Sequence, residues 1–231
     1  MSSLLALETS SPVLSVALRT DKGALLEKNF PGIFKHSENI LDIIDKLLSR
    51  ARTSISKVAA FLIVRGPGSF TGLRVGFATL KGFLAVKNRP CFGAMSLDLI
   101  PHNAGHLALG SRLCVAIDAH REMVYARFYN HAPSGWRSHG KTLLLRPEEL
   151  ARQVKPGTFM AGDALARYRE FFKDNPSLDE KAWYPRASTL IRFYETGSKS
   201  LSRLAKPADF LPLYLRLSGA EEKKKAYAHA C

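Results

Sequence analysis

Hydrophobic runs and polar turns alternate along the first thirty residues in a way that predicts a small antiparallel sheet. Apolar segments at 4–7 and 13–19 flank the polar turn Glu8-Thr9-Ser10-Ser11-Pro12, whose Ser, Thr and Pro residues favour turn conformations. A second turn, Asp21-Lys22-Gly23, precedes a third segment at 24–30. We therefore expect a three-stranded meander at the start of the chain.

A helix and a fully buried strand are predicted next. From Ser37, a suitable N-cap, apolar residues recur at helical spacing as far as Leu48. Residues 58–64 then form an almost uninterrupted apolar run of strand length, typical of a strand buried on both faces of a sheet. A glycine-rich turn follows this run, and residues 73–86 are predicted to be helical.

The second half shows a similar but looser series of elements. We predict further strands at 90–93, 113–117, 124–129 and 159–161. We predict helices, the first of them partial, at 96–106, 147–154, 163–172 and 188–195. The fold class is therefore α/β, with mixed sheets flanked by helices in two halves, residues 1–100 and 101–231.

Composition excludes several classes of protein. Of the 231 residues, 46% are hydrophobic and 23% are charged, which is typical of a globular chain and not of a disordered one. No apolar run approaches the ~18 residues of a membrane-spanning helix, and the N-terminus lacks the features of a secretory signal. Three cysteines without a Cys-x-x-Cys pair indicate neither disulfides nor a thiolate zinc site. We expect a cytoplasmic protein with reduced thiols and no contact with a membrane.

The chain is strongly basic, with a net charge of +14. The excess is spread evenly, because residues 1–100 carry 13 basic and 7 acidic side chains and residues 101–231 carry 21 and 13. The one basic run, Lys223 to Lys225, directly follows Glu221 and Glu222. We favour an ordinary solvated basic surface, and an RNA-facing patch is the alternative.

The most informative segment is the glycine turn Arg65-Gly-Pro-Gly-Ser-Phe-Thr-Gly-Leu-Arg74. Its glycines permit positive φ and close backbone approach, and either Ser69 or Thr71 could cap the following helix. Since a helix N-terminus favours anions, Gly66, Gly68, Ser69 and Thr71 are candidates for contact with an anion. The segment matches neither the P-loop pattern nor the dinucleotide-binding pattern.

The helix after this turn contains glycines that lower its intrinsic stability. Gly72, Gly76 and Gly82 each cost about 1 kcal/mol relative to alanine inside a helix. Gly72 and Gly76 share a face, on which Leu80 and Phe83 are bulkier. This shape suits close packing, either within the monomer or in a helix bundle between subunits.

Taken in order, several motifs resemble those of the TsaB (YeaZ) family. They are Leu5-Ala-Leu-Glu-Thr-Ser10 with Ser15-Val-Ala-Leu18, His36-Ser-Glu38, the glycine turn, Ala116-Ile-Asp-Ala119 before Val124-Tyr125, and Pro212-Leu-Tyr-Leu-Arg216. The glycine turn is the most specific of these motifs. This chain departs from the family in having Glu8 where Asp is usual and His120 where Arg is usual.

The resemblance implies a two-lobed fold of the actin, sugar-kinase and Hsp70 type (ASKHA). It also implies a noncatalytic scaffold that pairs with TsaD in forming N6-threonylcarbamoyladenosine (t6A) at position 37 of tRNAs reading ANN codons. The resemblance further implies that TsaE is a partner within the complex and that TsaC is a functional partner. The chain would interact with tRNA through the complex. The chain would have no cofactor of its own, with ATP or ADP at the boundary with TsaD. The helix after the glycine turn would bind TsaD, or a second copy in a homodimer, through Gly72, Arg74, Gly76, Phe77, Leu80 and Phe83.

The sequence leaves three other interpretations open. His102 and His106 could share a helix face and bind a metal, although an accidental pair is favoured. Asp118, His120 and a serine could form a glycoprotease-like triad, although no nucleophile elbow is present. The fold could also serve an independent ATP-binding protein. We further expect a mobile basic tail from about residue 217, and a Gly76→Arg variant that folds but does not bind TsaD.

Overall fold

The computed structural model describes residues 2–32, 36–105, 107–205 and 207–213. The strands are β1 (Ser3–Glu8), β2 (Val13–Arg19), β3 (Leu25–Pro31), β4 (Val58–Val64), β5 (Cys91–Ala94), β6 (Arg112–Asp118), β7 (Val124–Ala132), β8 (Gly135–Leu145), β9 (Phe159–Ala161) and β10 (Ser202–Leu204). The helices are α1 (His36–Arg50), α2 (Phe70–Val86), α3 (Ser96–Leu99), α4 (Pro147–Gln153), α5 (Leu165–Tyr168) and α6 (Ala187–Glu195). Within these ranges no helix is both long and apolar enough to span a membrane.

The first lobe is built on a six-stranded mixed sheet in the order β10-β5-β4-β1-β2-β3. Strands β1, β2 and β3 form the predicted antiparallel meander, and β4 lies parallel to β1. The predicted burial of β4 on both faces is confirmed. Phe61 and Ile63 pack with α1 and α2 on one face, and Leu62 packs with α6 on the other.

The second lobe repeats the same arrangement on a smaller scale. Its sheet has the order β8-β7-β6-β9, in which β6, β7 and β8 are antiparallel and β9 is parallel to β6. Strand β8 was not predicted, because its sequence Gly-Trp-Arg-Ser-His-Gly-Lys-Thr is mostly polar before the final leucines. The helix predicted at 163–172 is shorter, since α5 passes into a 3₁₀ turn at Arg169–Phe172.

The chain returns to the first lobe before it ends. Helix α6 packs on β1, β2 and β4, and β10 pairs with β5 at the edge of the first sheet. Two backbone donors at the start of α6 are satisfied there, because Ala187 N donates to Ser15 Oγ (2.9 Å) and Ser188 N donates to Glu27 Oε1 (2.8 Å). The prediction that all of 101–231 belongs to the second lobe is therefore wrong for α6 and β10. The tail expected from about residue 217 lies outside the described residues.

Four turns lie at the carboxyl ends of parallel strands. The β1–β2 turn and the glycine turn follow β1 and β4 in the first lobe. The β6–β7 turn and the turn at Gly162 follow β6 and β9 in the second lobe. Since ligands of open α/β sheets bind beyond the carboxyl ends of the strands, these turns mark the expected position of a functional site.

Candidate functional site

A cleft of about 330 Å³ lies between the two lobes, where these turns meet. Its walls come from both sheets and from α5. The lining residues are Ser10, Ser11, Pro12, Gly68, Ser69, Ile117, Asp118, His120, Asp163, Ala166, Arg167 and Tyr184. The cleft therefore combines the β1–β2 turn, the glycine turn and the β6–β7 turn in one cavity.

The glycine turn packs directly against the β1–β2 turn. Ser69 N donates to the carbonyl oxygen of Ser10 (2.7 Å), and a Cβ atom on Gly68 would overlap that carbonyl. Gly68 also has a φ of +156°, which disfavours a side chain. This close approach explains why glycine occupies the position.

The structure places the predicted helix cap and anion contacts at the mouth of α2. Ser69 is the N-cap, because its Oγ accepts from Gly72 N (3.2 Å), and α2 begins at Phe70 and not at the predicted residue 73. Gly68 and Ser69 line the cleft. Gly66 is buried against Leu73, and Thr71 is exposed in the first turn of α2. Of the four predicted contacts, two therefore lie where an anion in the cleft could reach them.

The carboxyl group of Glu8 is fully buried beneath the β1–β2 turn. It accepts from Ser10 N (2.9 Å), Ser11 N (3.0 Å) and Ser10 Oγ (2.8 Å). Burial raises the pKa of Glu8 to about 8, against the opposing effect of these hydrogen bonds. The backbone N–H groups of Ser10 and Ser11 could otherwise bind an anion. They already donate to Glu8, so they are not available to a ligand.

Asp118, at the end of β6, and Asp163, after β9, make one side of the cleft acidic beside the β6–β7 turn. His120, Arg121 and Glu122 have φ values of 57°, 50° and 57°, a left-handed conformation that non-glycine residues seldom adopt. Asp118 N donates to Asp163 Oδ1 (2.9 Å), and burial raises the pKa of Asp163 to about 6. Among the described residues no group of three or more His, Cys, Asp or Glu side chains could hold a metal ion.

The structure gives no support to a peptidase triad in this cleft. His120 Nδ1 lies 3.6 Å from Asp118 Oδ2, so two of the suggested members are neighbours. The serine hydroxyls beside them have other partners: Ser10 Oγ donates to Glu8 and Ser11 Oγ donates to the carbonyl of Val13 (3.0 Å). Ser69 Oγ accepts from Gly72 N at the helix cap. The hydrogen bonds of these three serines stabilise the turns and the helix cap.

His102 packs against an aromatic side chain of α6. Its ring meets that of Phe193 edge-on with centroids 4.8 Å apart. Desolvation and the nearby Arg192 cation lower the pKa of His102 to about 4, so its imidazole is neutral at pH 7. His106 lies outside the described residues. The packing of His102 against α6 therefore accounts for one of the two histidines without a metal.

The buried face of α2 contains most of the residues that were predicted to bind a partner. Gly72, Gly76, Phe77 and Leu80 are buried within the monomer. Phe83 is half-buried and stacks on Phe61 with ring centroids 5.6 Å apart.

In the chain alone these residues are therefore not exposed, and their contact with a partner stays a prediction. A Cβ atom on Gly76 would overlap Thr9 Oγ1, so the glycine serves contact with the β1–β2 turn. The expectation that Gly76→Arg leaves the monomer folded is incompatible with this contact.

The outward face of α2 consists mainly of small side chains. Arg74, one of the predicted partner residues, is exposed and places its guanidinium over the ring of Phe70, 4.0 Å from the centroid. The exposed residues of this face, which we call the outer face of α2, are Thr71, Arg74, Ala78, Lys81, Gly82, Ala85 and Val86. Sequence periodicity could have separated the two faces, but it could not show which one met the sheet.

Two lobes that share a four-stranded unit, β3-β2-β1-β4 in the first sheet and β8-β7-β6-β9 in the second, lie around a cleft at the carboxyl ends of their strands. This arrangement defines an α/β protein of the actin, sugar-kinase and Hsp70 class. Comparisons with known proteins narrow this class. Residues 32–173 match the family described as "TsaD: tRNA N6-adenosine threonylcarbamoyltransferase".

Comparison with individual relatives identifies the family more specifically. The chain is 30% identical over 181 residues to the "tRNA threonylcarbamoyladenosine biosynthesis protein TsaB" of Haemophilus influenzae, covering 74% of this chain and 76% of that one. It is 30% identical over 147 residues to the Escherichia coli protein of the same name, covering 63% of each chain. The solved structure "YeaZ from Pseudomonas aeruginosa" is similar with a TM-score of 0.76 and 30% identity, over 93% of this chain and all of that one. The chain belongs to the TsaB (YeaZ) family.

Proposed function

We propose that this protein acts in t6A modification of tRNA as a noncatalytic scaffold that pairs with TsaD. In this role it activates TsaD for transfer of the threonylcarbamoyl group to adenosine 37 of tRNAs reading ANN codons. The names of its relatives support the pathway. The match to the TsaD family over residues 32–173 supports a pairing of two chains with related folds.

The observation that carries the partner role is the outer face of α2. Gly82 is exposed, and a Cβ atom added to it would meet no atom of the described residues within 4 Å. Packing within the monomer therefore does not explain a glycine that costs about 1 kcal/mol relative to alanine. Small residues let the backbones of two helices approach closely, so a helix of TsaD is the occupant we propose. When TsaD is absent, a second copy of the chain is the alternative occupant.

The state of the cleft supports a noncatalytic role. Glu8 engages the donors of the β1–β2 turn, and the nearby serine hydroxyls are engaged in the turns themselves. An ATP-binding protein acting alone would need such donors for phosphate. We therefore place any nucleotide of the complex at the boundary with TsaD. TsaE binds the assembled complex, and TsaC supplies the activated threonylcarbamoyl group.

Size-exclusion chromatography with light scattering tests the pairing directly. The chain would be mixed with TsaD from the same organism, with and without ATP, and compared with the chain alone. We expect a stoichiometric complex with the wild type and none with Ala78→Arg, because a long cation on the outer face of α2 prevents close helix contact. Ser49→Arg is the matched control, since Ser49 is exposed on α1 and should leave the complex intact.

Activity gives a second readout. A reconstituted t6A assay should show product only when both chains are present, and Ala78→Arg should reduce product in parallel with complex formation. A wild-type chain that forms no complex under any nucleotide condition would refute the scaffold role. A complex that forms equally well with Ala78→Arg would refute the assignment of the outer face of α2.

A further inference from the structure

Among the described residues, no helix covers one end of the second-lobe sheet. Helices α4 and α5 cover the sheet face formed by Ala116, Val124 and Ala126, where Leu150 and Leu165 complete a buried core. The same face continues past Phe128 to the opposite end of the strands. There the side chains change from buried and apolar to exposed and polar or basic.

Cross-strand pairing brings these polar side chains together. Arg112 of β6 pairs with Asn130 of β7, which pairs with Arg137 of β8. In the next row, Phe128 pairs with His139. Directly paired residues lie on the same face of a sheet with Cβ atoms about 5 Å apart, so these side chains form one continuous surface.

The strand β8 is irregular at this position. Its pairing with β7 shifts register between Ala126 and Phe128, and Gly140 has a φ of +76°. A bulge bends its strand and redirects the side chains beside it. His139 is next to this bend, at the border between the covered and the uncovered parts of the face.

A cavity of about 460 Å³ occupies the uncovered end. The described residues that line it are Arg112, Phe128, Tyr129, Asn130, His139, Gln153, Lys155 and Thr158, a set without Asp or Glu. Arg112 is oriented by donation from Nη2 to the carbonyl of Pro156 (2.8 Å), which leaves its other N–H groups available.

The cations at this end are not neutralised by carboxylates. Within the described part of the chain, Arg112, Arg137 and Lys155 form no ion pair, and all three are exposed. We call the set Arg112, Arg137, His139 and Lys155 the basic patch. Unpaired cations around a cavity without carboxylates attract a polyanion.

We propose that the basic patch and its cavity form an RNA-binding surface of this chain. The chemistry fits RNA: Arg112, Arg137 and Lys155 suit backbone phosphates, and Phe128 offers a ring for base stacking. The amides of Asn130 and Gln153 can both donate to and accept from base edges. The identification of the RNA as tRNA rests on the proposed function, and binding of RNA by this surface does not.

Fluorescence anisotropy with a labelled, unmodified tRNA transcript that reads an ANN codon tests the proposal. Binding would be measured for the chain alone and for its mixture with TsaD. For Arg112→Gln/Lys155→Gln we expect a loss of affinity of roughly tenfold at low salt. Because each phosphate contact contributes about 0.7 to 0.9 to the slope of log K against log salt, the loss of two contacts should reduce the magnitude of that slope by about 1.4 to 1.8. The control variant Lys22→Gln/Lys57→Gln removes two exposed cations from the first lobe and should bind as the wild type does.

A second variant separates stacking from charge. Phe128→Leu keeps an apolar side chain against the core of the second lobe but removes the ring. We expect affinity to fall roughly five- to hundredfold with no change in the salt slope. Circular dichroism of each variant would verify that the chain is folded.

Several results would overturn the proposal. We call Arg112→Gln/Lys155→Gln the patch variant. If it and the control variant bind RNA with equal affinity, the basic patch does not bind RNA. Competition by polyglutamate as effective as that by RNA, or loss of the TsaD complex from the patch variant, would indicate an acidic protein as the partner instead. If the wild type fails to support t6A formation but the patch variants still lose RNA affinity, the RNA surface stands and the proposed function falls.

Discussion

The buried carboxyl group of Glu8 makes the stability of this protein depend on pH in a predictable direction. Burial raises its pKa from the ordinary 4.5 to about 8 in the folded chain. The folded state therefore holds a proton that the unfolded state releases. Stabilisation by this group is fully present below about pH 4.5 and is lost as pH rises towards 8.

The size of the effect follows from the same two values. Each pH unit between them lowers the free energy of unfolding by about 1.4 kcal/mol, so the whole interval amounts to about 5 kcal/mol. This is comparable with the total stability of many domains. Glu8→Gln removes the titration and keeps an oxygen that can accept from Ser10 N and Ser11 N.

Urea unfolding from pH 5 to pH 9 provides the assay. The free energy of unfolding of the wild type should fall relative to that of Glu8→Gln by several kcal/mol as pH rises. The raised pKa of Asp163 acts in the same direction, but it is present in both proteins and cancels in the comparison. Parallel pH profiles would refute the reasoning, because they would mean that Glu8 does not retain its proton in the folded chain.

Two further predictions concern packing and can be checked by urea unfolding at pH 7. Gly76→Ala should destabilise the chain by about 2 kcal/mol, because the new Cβ overlaps Thr9, whereas Gly82→Ala should stabilise it by about 0.5 to 1 kcal/mol. A destabilised Gly82→Ala would contradict the open position of that residue. Tyr129→Phe should cost about 1 to 2 kcal/mol, because the hydroxyl donates to Asp98 (2.8 Å), which also accepts from Arg127 (2.9 Å). An unchanged stability would show that Asp98 is satisfied without it.

Close contacts between the turns at the ends of the strands fix the geometry of the cleft. Ser10 O accepts from Ser69 N, and Thr9 packs against Gly76. On the second lobe, a Cβ atom on Gly162 would overlap the carbonyl of Ala116. Each lobe thus has a glycine where one turn or helix passes close to the end of a neighbouring strand. The two lobes have this use of glycine in common, and the strand order β3-β2-β1-β4 of the first lobe recurs as β8-β7-β6-β9 in the second.

Much of the fold was predictable from local sequence patterns. The opening meander, the buried strand β4 and the helix α2 follow from hydrophobic periodicity over a few residues, and the structure confirms them. Local chemistry also predicted that either Ser69 or Thr71 would cap α2, and the structure selects Ser69, whose Oγ accepts from the backbone N–H three residues later. The string of residues in the glycine turn is specific enough to indicate the family from the sequence alone.

Long-range packing decided the rest. The return of α6 and β10 to the first sheet depends on contacts such as Ala187 N to Ser15 Oγ, across 172 positions of sequence. The orientation of α2 depends on Thr9 filling the space beside Gly76.

The basic patch is distributed over two strands, β6 and β8, and the loop before β9, so no single segment of sequence displays it. Periodicity shows that a helix or strand has two faces. Only tertiary packing determines which face is buried and which remains available to a partner, because that choice depends on residues far apart in the chain.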